Sequence, residues 1–310
     1  MEDKDWPSVT VFSLVYNTGK YVVEALEAVK RNGYPNLQHI IIDDFSKDNS
    51  VQIVDEWIKL HNYDCVFVKH VANQGVCKTL NEVLRLSSGK FIFGISDDLI
   101  NDNYIKTSVE ILQNAGDDYC VAFCNSSVID ENGKDLGIDH YGSHGISMDN
   151  VPTEYAFESI IQSNFINGIG ALYRRQYIEE VGGYDESLYF EDWDLHIRLL
   201  RKYKVKKIDQ ILTQYRRRSN SISTGTNYKY YESLILITIK LMNEKFAEPQ
   251  LLKKNLIDFA EYYFRFGGRS GKIYRKVFNR SVHIKSFMFL IFSKLGINYN
   301  HYKKLVALIK

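Results

Sequence analysis

Three acidic pairs stand where apolar stretches give way to polar sequence: Asp43 and Asp44 after residues 39–42, Asp97 and Asp98 after 91–95, and Glu191 and Asp192 after 188–190. Paired carboxylates offer hard oxygen ligands, the kind that suits Mg²⁺ or Mn²⁺. If the apolar stretches are strands, the pairs lie at the strands' carboxyl ends, the edge at which open α/β sheets bind ligands. One such pair reads equally well as a solvated turn. Three in this order favour a cation-binding crevice.

The elements that would position these pairs follow from hydrophobic periodicity. Residues 10–15, 37–43, 65–71, 91–95 and 120–125 read as buried strands, and 20–31, 50–61, 76–86 and 104–114 as amphipathic helices between them. Helix 20–31 carries Val22, Ala25, Leu26 and Val29 on one face, and helix 50–61 carries Val51, Val54 and Ile58. This alternation predicts an α/β fold with a mostly parallel central sheet covered by helices on both faces. Between 126 and 150 the pattern breaks into a loop or hairpin with a turn at 130–133. Regularity returns at 155–162, in the apolar segment 166–173, in a helix near 176–181 that ends at Gly182-Gly183, and in a helix over 192–202 with Leu195, Leu199 and Leu200 on one face. After Ser223 only helical patterns remain, over 228–246, over 250–266 and beyond a break at Gly267-Gly268.

A chain of 310 residues suits about two domains, and 45% hydrophobic with 14% aromatic residues is ample for a core. The net charge of +1 hides an asymmetry: residues 1–200 carry 15 Lys/Arg against 32 Asp/Glu, and residues 201–310 carry 24 against 6. An acidic body fits cation binding. A basic, aromatic-rich tail fits an anionic partner, or docking on the acidic body itself. Apolar runs such as 287–292 fall short of the roughly 20 residues that span a bilayer, and the first residues lack a basic and apolar leader. The four cysteines show no CxxC spacing and read as reduced thiols. A cytoplasmic protein is expected, with the tail placing it peripherally on the inner face of the membrane. His140 and His144 lack further ligands nearby for zinc, and neither GxGxxG nor GxxxxGK[ST] occurs, which argues against dinucleotide and P-loop enzymes.

The run Val9 to Asn17 (VTVFSLVYN), Ile40 to Ser46 (IIIDDFS), Asn73-Gln74-Gly75, Ser96-Asp97-Asp98, Gly168 to Arg175 (GIGALYRR), Val181 to Asp185 (VGGYD) and Glu191 to Asp194 (EDWD) resembles glycosyltransferase family 2, inverting enzymes of GT-A fold. The likeness covers about residues 8–224. It implies a GT-A-type nucleotide-sugar-binding domain over 1–224, with residues 225–310 as a basic helical appendage outside it.

The resemblance implies roles. Asp98 would be the metal ligand for Mn²⁺ or Mg²⁺, and Asp97 would hold the ribose or sugar side of the donor. Asp44 would accept from the base, with a helix-capping role as its alternative. Tyr16 would stack on the base, or else be a core-edge tyrosine. Asn73 belongs to the loop after the third strand, where a basic residue expected nearby is Leu80 and Lys78 is the substitute. Asp192, beside Glu191, would be the general base, or else only a helix-terminal charge. Trp193 would wall the acceptor sugar. An expected acid is replaced by Ile95, and an expected histidine by Arg218, which cannot bind a metal while protonated. Arg218, with Arg216 or Arg217, would instead meet the diphosphate, or form a solvated basic turn.

The activity so implied is inverting transfer of a sugar from a nucleotide diphosphate donor, UDP-linked, to a glycan or glycolipid hydroxyl in surface polysaccharide assembly. The partners implied are the donor, a glycan or lipid-linked acceptor and an anionic membrane surface, rather than nucleic acid. The departures at Ile95, Leu80 and Arg218 leave a second reading, a nucleotide-sugar-binding scaffold subunit without turnover.

Overall fold

The structure, a computed structural model, describes residues 6–218, 227–243 and 249–309. They fall into two compact units, Met1–Asp185 with Asp192–Arg218, and Glu186–Glu191 with Ser219–Lys310.

The first unit begins with the expected alternation: β1 (Val9–Val15), α1 (Val22–Asn32), β2 (Leu37–Asp43), α2 (Ser50–His61), β3 (Val66–Lys69), α3 (Val76–Leu86) and β4 (Phe91–Ile95). It continues with β5 (Leu99–Ile100), α4 (Tyr104–Asn114), β6 (Tyr119–Ile129), β7 (Asp135–Asp139), α5 (Phe157–Gln162), β8 (Ala171–Arg174), α6 (Arg175–Glu180), α7 (Asp192–Leu200) and β9 (Lys204–Arg216). Among the described residues the strands form one nine-stranded sheet in the order β3-β2-β1-β4-β8-β6-β9-β5, with β7 paired to β6. The long registers, β1 with β2 and β4, β2 with β3, and β6 with β9, are all parallel, and the antiparallel pairings are short.

Helix α1 forms because Val22, Ala25, Leu26 and Val29 recur on one face, and all four are buried with Ala28. Gly33 in the left-handed conformation ends it. Truncating the fully buried Leu26 to alanine would cost about 2–5 kcal/mol. Helix α2 differs from its predicted face: Val54 and Trp57 are buried, while Val51 and Ile58 are only partly so. The Trp57 indole packs edge-on against Tyr63 and supplies the larger apolar surface.

Residues 126–150 are hairpin in part. β6 runs on to Ile129, and Asp130 closes the turn to β7, its carboxylate accepting from the backbone N–H groups of Asn132 (2.8 Å) and Lys134 (3.0 Å). Strands β5 and β9 are not predicted by periodicity. β9 mixes Lys206, Lys207, Asp209 and Gln210 into its length because only part of it is covered, yet it pairs with β6 up to Arg216.

The second unit holds α8 (Tyr228–Asn243), α9 (Pro249–Arg265), α10 (Gly271–Ser281), α11 (Ile284–Leu295) and α12 (Tyr299–Ile309). The predicted helix over 228–246 is described to Asn243, and its last residues lie outside the described residues. Tyr263, Phe264, Tyr274, Val277, Phe289 and Tyr302 form the unit's own aromatic core. Residues 186–191 pack with these helices: Tyr189 N–H donates to Ser233 Oγ at 2.7 Å, and the Phe190 ring lies 4.9 Å from that of Tyr230. Among the described residues no helix is long and apolar enough to cross a membrane, and the four cysteines form no disulfide.

Candidate active site

Parallel register gathers the sequence-predicted residues along one edge. Val15 stands opposite Asp43, Asp43 opposite Lys69, and Ser13 opposite Ile95. Tyr16, Asp43, Asp44, His70 and the Ser96-Asp97-Asp98 turn therefore follow the carboxyl ends of four adjacent strands. The first two loops are stitched together: Asn17 N–H donates to Ser46 Oγ (2.9 Å), Thr18 N–H to Ser50 Oγ (3.0 Å) and Gly19 N–H to Asp48 Oδ2 (3.1 Å). A Cβ at Gly19 would sit 2.5 Å from Asn49 Oδ1, so any larger residue there would displace the Asn49 side chain. The Tyr16 side chain stays 50% exposed, available as a flat face.

Asp44 is occupied internally. Its Oδ1 accepts from Gln74 N–H (2.7 Å) and contacts His70 Nδ1 (2.8 Å), while Oδ2 accepts from Gly75 N–H (2.9 Å). Asn73 Nδ2 adds a bond to the Asp44 carbonyl at 3.1 Å. Asp44 thus orders the 73–75 loop that leads into α3, where Gly75 has φ +85°. The other face of His70 meets Glu82 Oε2 at 3.0 Å. Asp43 differs: Oδ2 accepts from Ser46 N–H at 3.0 Å, whereas the buried Oδ1 has no hydrogen-bond partner. Leu80 faces the core, so no basic side chain would fit there, and Lys78 is exposed on α3.

The turn after β4 is fixed from β9. Arg216 N–H donates to Asp98 Oδ1 (2.7 Å), its Nε to the Asp97 carbonyl (2.7 Å) and its Nη2 to Glu24 Oε2 (2.7 Å). The Arg216 guanidinium is fully buried, 5.1 Å from the Tyr21 ring centre. It is turned into the body and positions the acidic turn rather than pointing at a ligand. Arg218 also lies over Tyr21, and its Nε meets Asp97 Oδ2 as an ion pair without hydrogen-bond alignment. Burial pushes the Asp97 carboxyl up, opposed by the Arg218 charge. Asp98 keeps some surface exposure, yet burial first and the neighbouring Asp97 charge second push its carboxyl up as well.

That electrostatic state fits a divalent cation. Two adjacent carboxylates that resist ionisation together gain from a hard cation between them and a ligand. Among the described residues no group of three or more His, Cys, Asp or Glu is placed to hold a metal. Asp98 would supply one oxygen to such an ion, leaving its other positions to substrate oxygens and water, the usual arrangement for Mg²⁺. His140 and His144 rings lie 4.8 Å apart, with Tyr215 5.1 Å from His140. They belong to an aromatic cluster.

Asp192 opens α7. Its Oδ1 accepts from Trp193 N–H (2.6 Å), and its Oδ2 from Asn164 Nδ2 (2.9 Å). Burial pushes the Asp192 carboxyl up. Behind it runs a chain: Asn164 Oδ1 meets His196 Nδ1 at 2.8 Å, and His196 Nε2 meets the Tyr173 hydroxyl at 2.6 Å. Burial lowers His196 to about 3. A neutral ring with its proton on Nδ1 satisfies the chain, Tyr173 donating to His196, His196 to Asn164 and Asn164 to Asp192. Sequence reasoning missed Asn164, His196 and Tyr173; the one available signal was His196 four residues after Asp192 on the same helix. Trp193, expected against the acceptor, is only 7% exposed, and its indole N–H donates to the Ile160 carbonyl at 2.6 Å. It fastens α7 to α5. Glu191 ends the 186–191 segment, immediately before Asp192.

Comparison with known proteins gives the family and the fold. Residues 10–182, more than half of the chain, match Glycosyl transferase family 2. The glycosyltransferase GlyG of Streptococcus pneumoniae serotype 4 is 29% identical over 223 residues, which cover 69% of this chain and 72% of GlyG. Among solved structures, TarS 1-349 of S. aureus in complex with UDP-GlcNAc superposes with a TM-score of 0.63 at 19% identity, over 92% of this chain and 79% of that one. The mannosyltransferase PcManGT of Pyrobaculum calidifontis, in complex with GDP-Man and Mn²⁺, gives 0.61 at 14% identity, over 96% and 88%. These two share the GT-A fold. The chain belongs to glycosyl transferase family 2 and is a glycosyltransferase.

Proposed function

We propose that this protein is a metal-dependent, inverting glycosyltransferase that moves a sugar from a nucleoside diphosphate donor, UDP-linked, to a hydroxyl of a glycan or lipid-linked glycan in surface polysaccharide assembly. Catalysis is assigned to residues 1–224, and contact with an anionic membrane surface to residues 225–310. The observation that carries the reading is the Asp97-Asp98 pair, buried enough to resist ionisation and held by Arg216 at the carboxyl edge of the parallel strands. The UDP-GlcNAc complex of TarS and the GDP-Man and Mn²⁺ complex of PcManGT support it by fold.

Tyr16 offers a ring face to the base, and the unpartnered Asp43 Oδ1 is the acceptor for a base N–H. Asp44 acts through Asn73 and Gly75, shaping the loop beside them. Asp97 holds the ribose or sugar, and Asp98 with the diphosphate oxygens would hold Mn²⁺ or Mg²⁺. Such an ion supplies Lewis-acid stabilisation of the departing diphosphate. Arg218 leaves Asp97 to meet the diphosphate, assisted by Lys78. Asp192, with Glu191 beside it, takes the proton of the acceptor hydroxyl. The acceptor oxygen bonds to the anomeric carbon from the face opposite the leaving diphosphate, the bond from that carbon to the phosphate oxygen breaks, and the nucleoside diphosphate leaves with that electron pair. The sugar's configuration is inverted.

One observation favours the second reading, a binding or scaffold subunit: Arg218 already neutralises Asp97. A donor screen that follows nucleotide release with Mn²⁺ decides between them. Release that needs both metal and acceptor supports turnover, and binding without release supports the scaffold.

A further inference from the structure

The last part of the chain is cationic to an extreme: from residue 262 to 310 there are eleven Lys and Arg and no Asp or Glu. In the middle of it lies an apolar surface that is largely exposed among the described residues. Helix α11 buries Ser286 and Phe289 on one side. On the other, Ile284, Phe287, Ile291 and Leu295 follow at helical spacing, with Ile284 and Leu295 67% exposed and Phe287 44%. Lys294 is exposed about a quarter-turn to one side of this stripe, placed for its stem to lie along the apolar face while the ammonium group reaches outward, and Lys285 on the other side has its Nζ 3.2 Å from Glu261 Oε2 of α9. The Phe287 ring is braced by Phe278 of α10, 5.6 Å away. The exposed side of α10 carries Lys272, Arg275, Lys276 and Arg280.

The corner between the helices adds an independent observation. Val282 ends α10 in the left-handed conformation, φ +43°, and is 76% exposed. A β-branched residue is disfavoured there, where Gly or Asn would relieve the backbone. An apolar side chain kept at a strained, solvent-facing corner gains nothing from the fold as described. Immediately after it, His283 caps α11 with its side chain and so fixes the angle at which Ile284 and Phe287 are presented.

We infer that the α10–α11 corner and the outer stripe of α11 are the element by which this chain rests on an anionic lipid surface. The inference rests on the membrane assignment of residues 225–310 made above and names the residues that carry it. Val282, Ile284, Phe287, Ile291 and Leu295 enter the interfacial zone, and the flanking Lys and Arg meet phosphate headgroups. A second copy of this surface is a poor occupant, because stacking two such faces sets cation against cation. Nucleic acid would satisfy the charge but offers no counterpart to an aliphatic stripe.

Flotation of the full chain with vesicles tests it. Phosphatidylglycerol–phosphatidylcholine vesicles should carry the wild type upward, phosphatidylcholine vesicles should not, and added salt should weaken recovery. The variant Val282→Asn/Ile284→Ser/Phe287→Ser/Leu295→Ser should float about tenfold less or worse. Val282→Asn alone should melt at or above the wild-type temperature while still lowering flotation, which separates surface contact from folding. Wild type that floats alongside a quadruple variant that floats equally well overturns the corner and leaves the broader membrane assignment standing. Wild type that does not float at all overturns both. Loss of a dimer in the quadruple variant by sedimentation, or oligonucleotide binding in place of flotation, also overturns the inference.

Discussion

Replacing Asn164 with leucine isolates the environment of the proposed base. Asn164 Nδ2 donates to Asp192 Oδ2 at 2.9 Å and favours the ionised carboxylate, against the burial that pushes the group toward its neutral form. A hydrogen bond to a charged group contributes about 1.5–3 kcal/mol, and about 1.4 kcal/mol is a factor of ten in an ionisation equilibrium. A general base must be ionised to act, so its rate falls as pH drops through its pKa. Without Asn164 that acidic limb should move to higher pH, and the rate at a fixed pH on the limb should fall roughly tenfold to a hundredfold. The high-pH plateau should change much less. Leaving His196 Nδ1–H unpaired costs about 1–3 kcal/mol of stability, so the variant melts lower but remains folded at assay temperature. The assay is kcat/KM against pH for both proteins. A uniform loss of rate with an unmoved limb would refute the account, because a purely structural defect does not shift a titration.

Asp192→Asn should lower transfer by roughly 10²-fold or more while leaving donor affinity within a few-fold, read by paired rate and binding measurements. Arg218→Ala removes the cation facing Asp97, so Mn²⁺ alone should bind more tightly and UDP with Mn²⁺ more weakly, the latter by about tenfold, by calorimetry. His39 and His196 are buried and lowered to about 3, and His140 to about 4. With the unfolded value near 6.5, their contribution is present above about pH 6.5 and is lost as pH falls below it, each by up to about 1.4 kcal/mol per unit. Urea midpoints between pH 7.5 and 5 should therefore fall, and His39→Gln should flatten the slope by about one such increment. An unchanged slope in that variant would mean His39 is not buried neutral.

The parallel half of the sheet was legible because its strands are apolar runs bounded by amphipathic helices, and α2, α3, α4 and β4 begin and end where periodicity puts them. β9 was not, since Lys206, Lys207 and Asp209 interrupt its pattern and its order comes from the long register with β6. The acidic turns were legible as residue types at strand ends. Their partners were not: Arg216 reaches Glu24 across 192 positions, and Asn164 reaches Asp192 only because α5 packs on α7 through the Trp193 indole. Asp43 and Asp44 look equivalent in sequence. The backbone separates them, turning one carboxylate to the N–H groups of residues 74 and 75 and leaving an oxygen of the other unpaired.

The central claim is that Asp98, held at the edge of the sheet, carries a metal-dependent nucleotide site. Calorimetric titration of UDP into wild type and Asp98→Asn, each with and without Mn²⁺, tests it without knowledge of the acceptor. The account predicts that Mn²⁺ tightens UDP binding by about tenfold or more in the wild type, and that this gain vanishes in the variant while its melting stays near wild type. Equal Mn²⁺ dependence in both proteins, or no UDP binding by either, would contradict it.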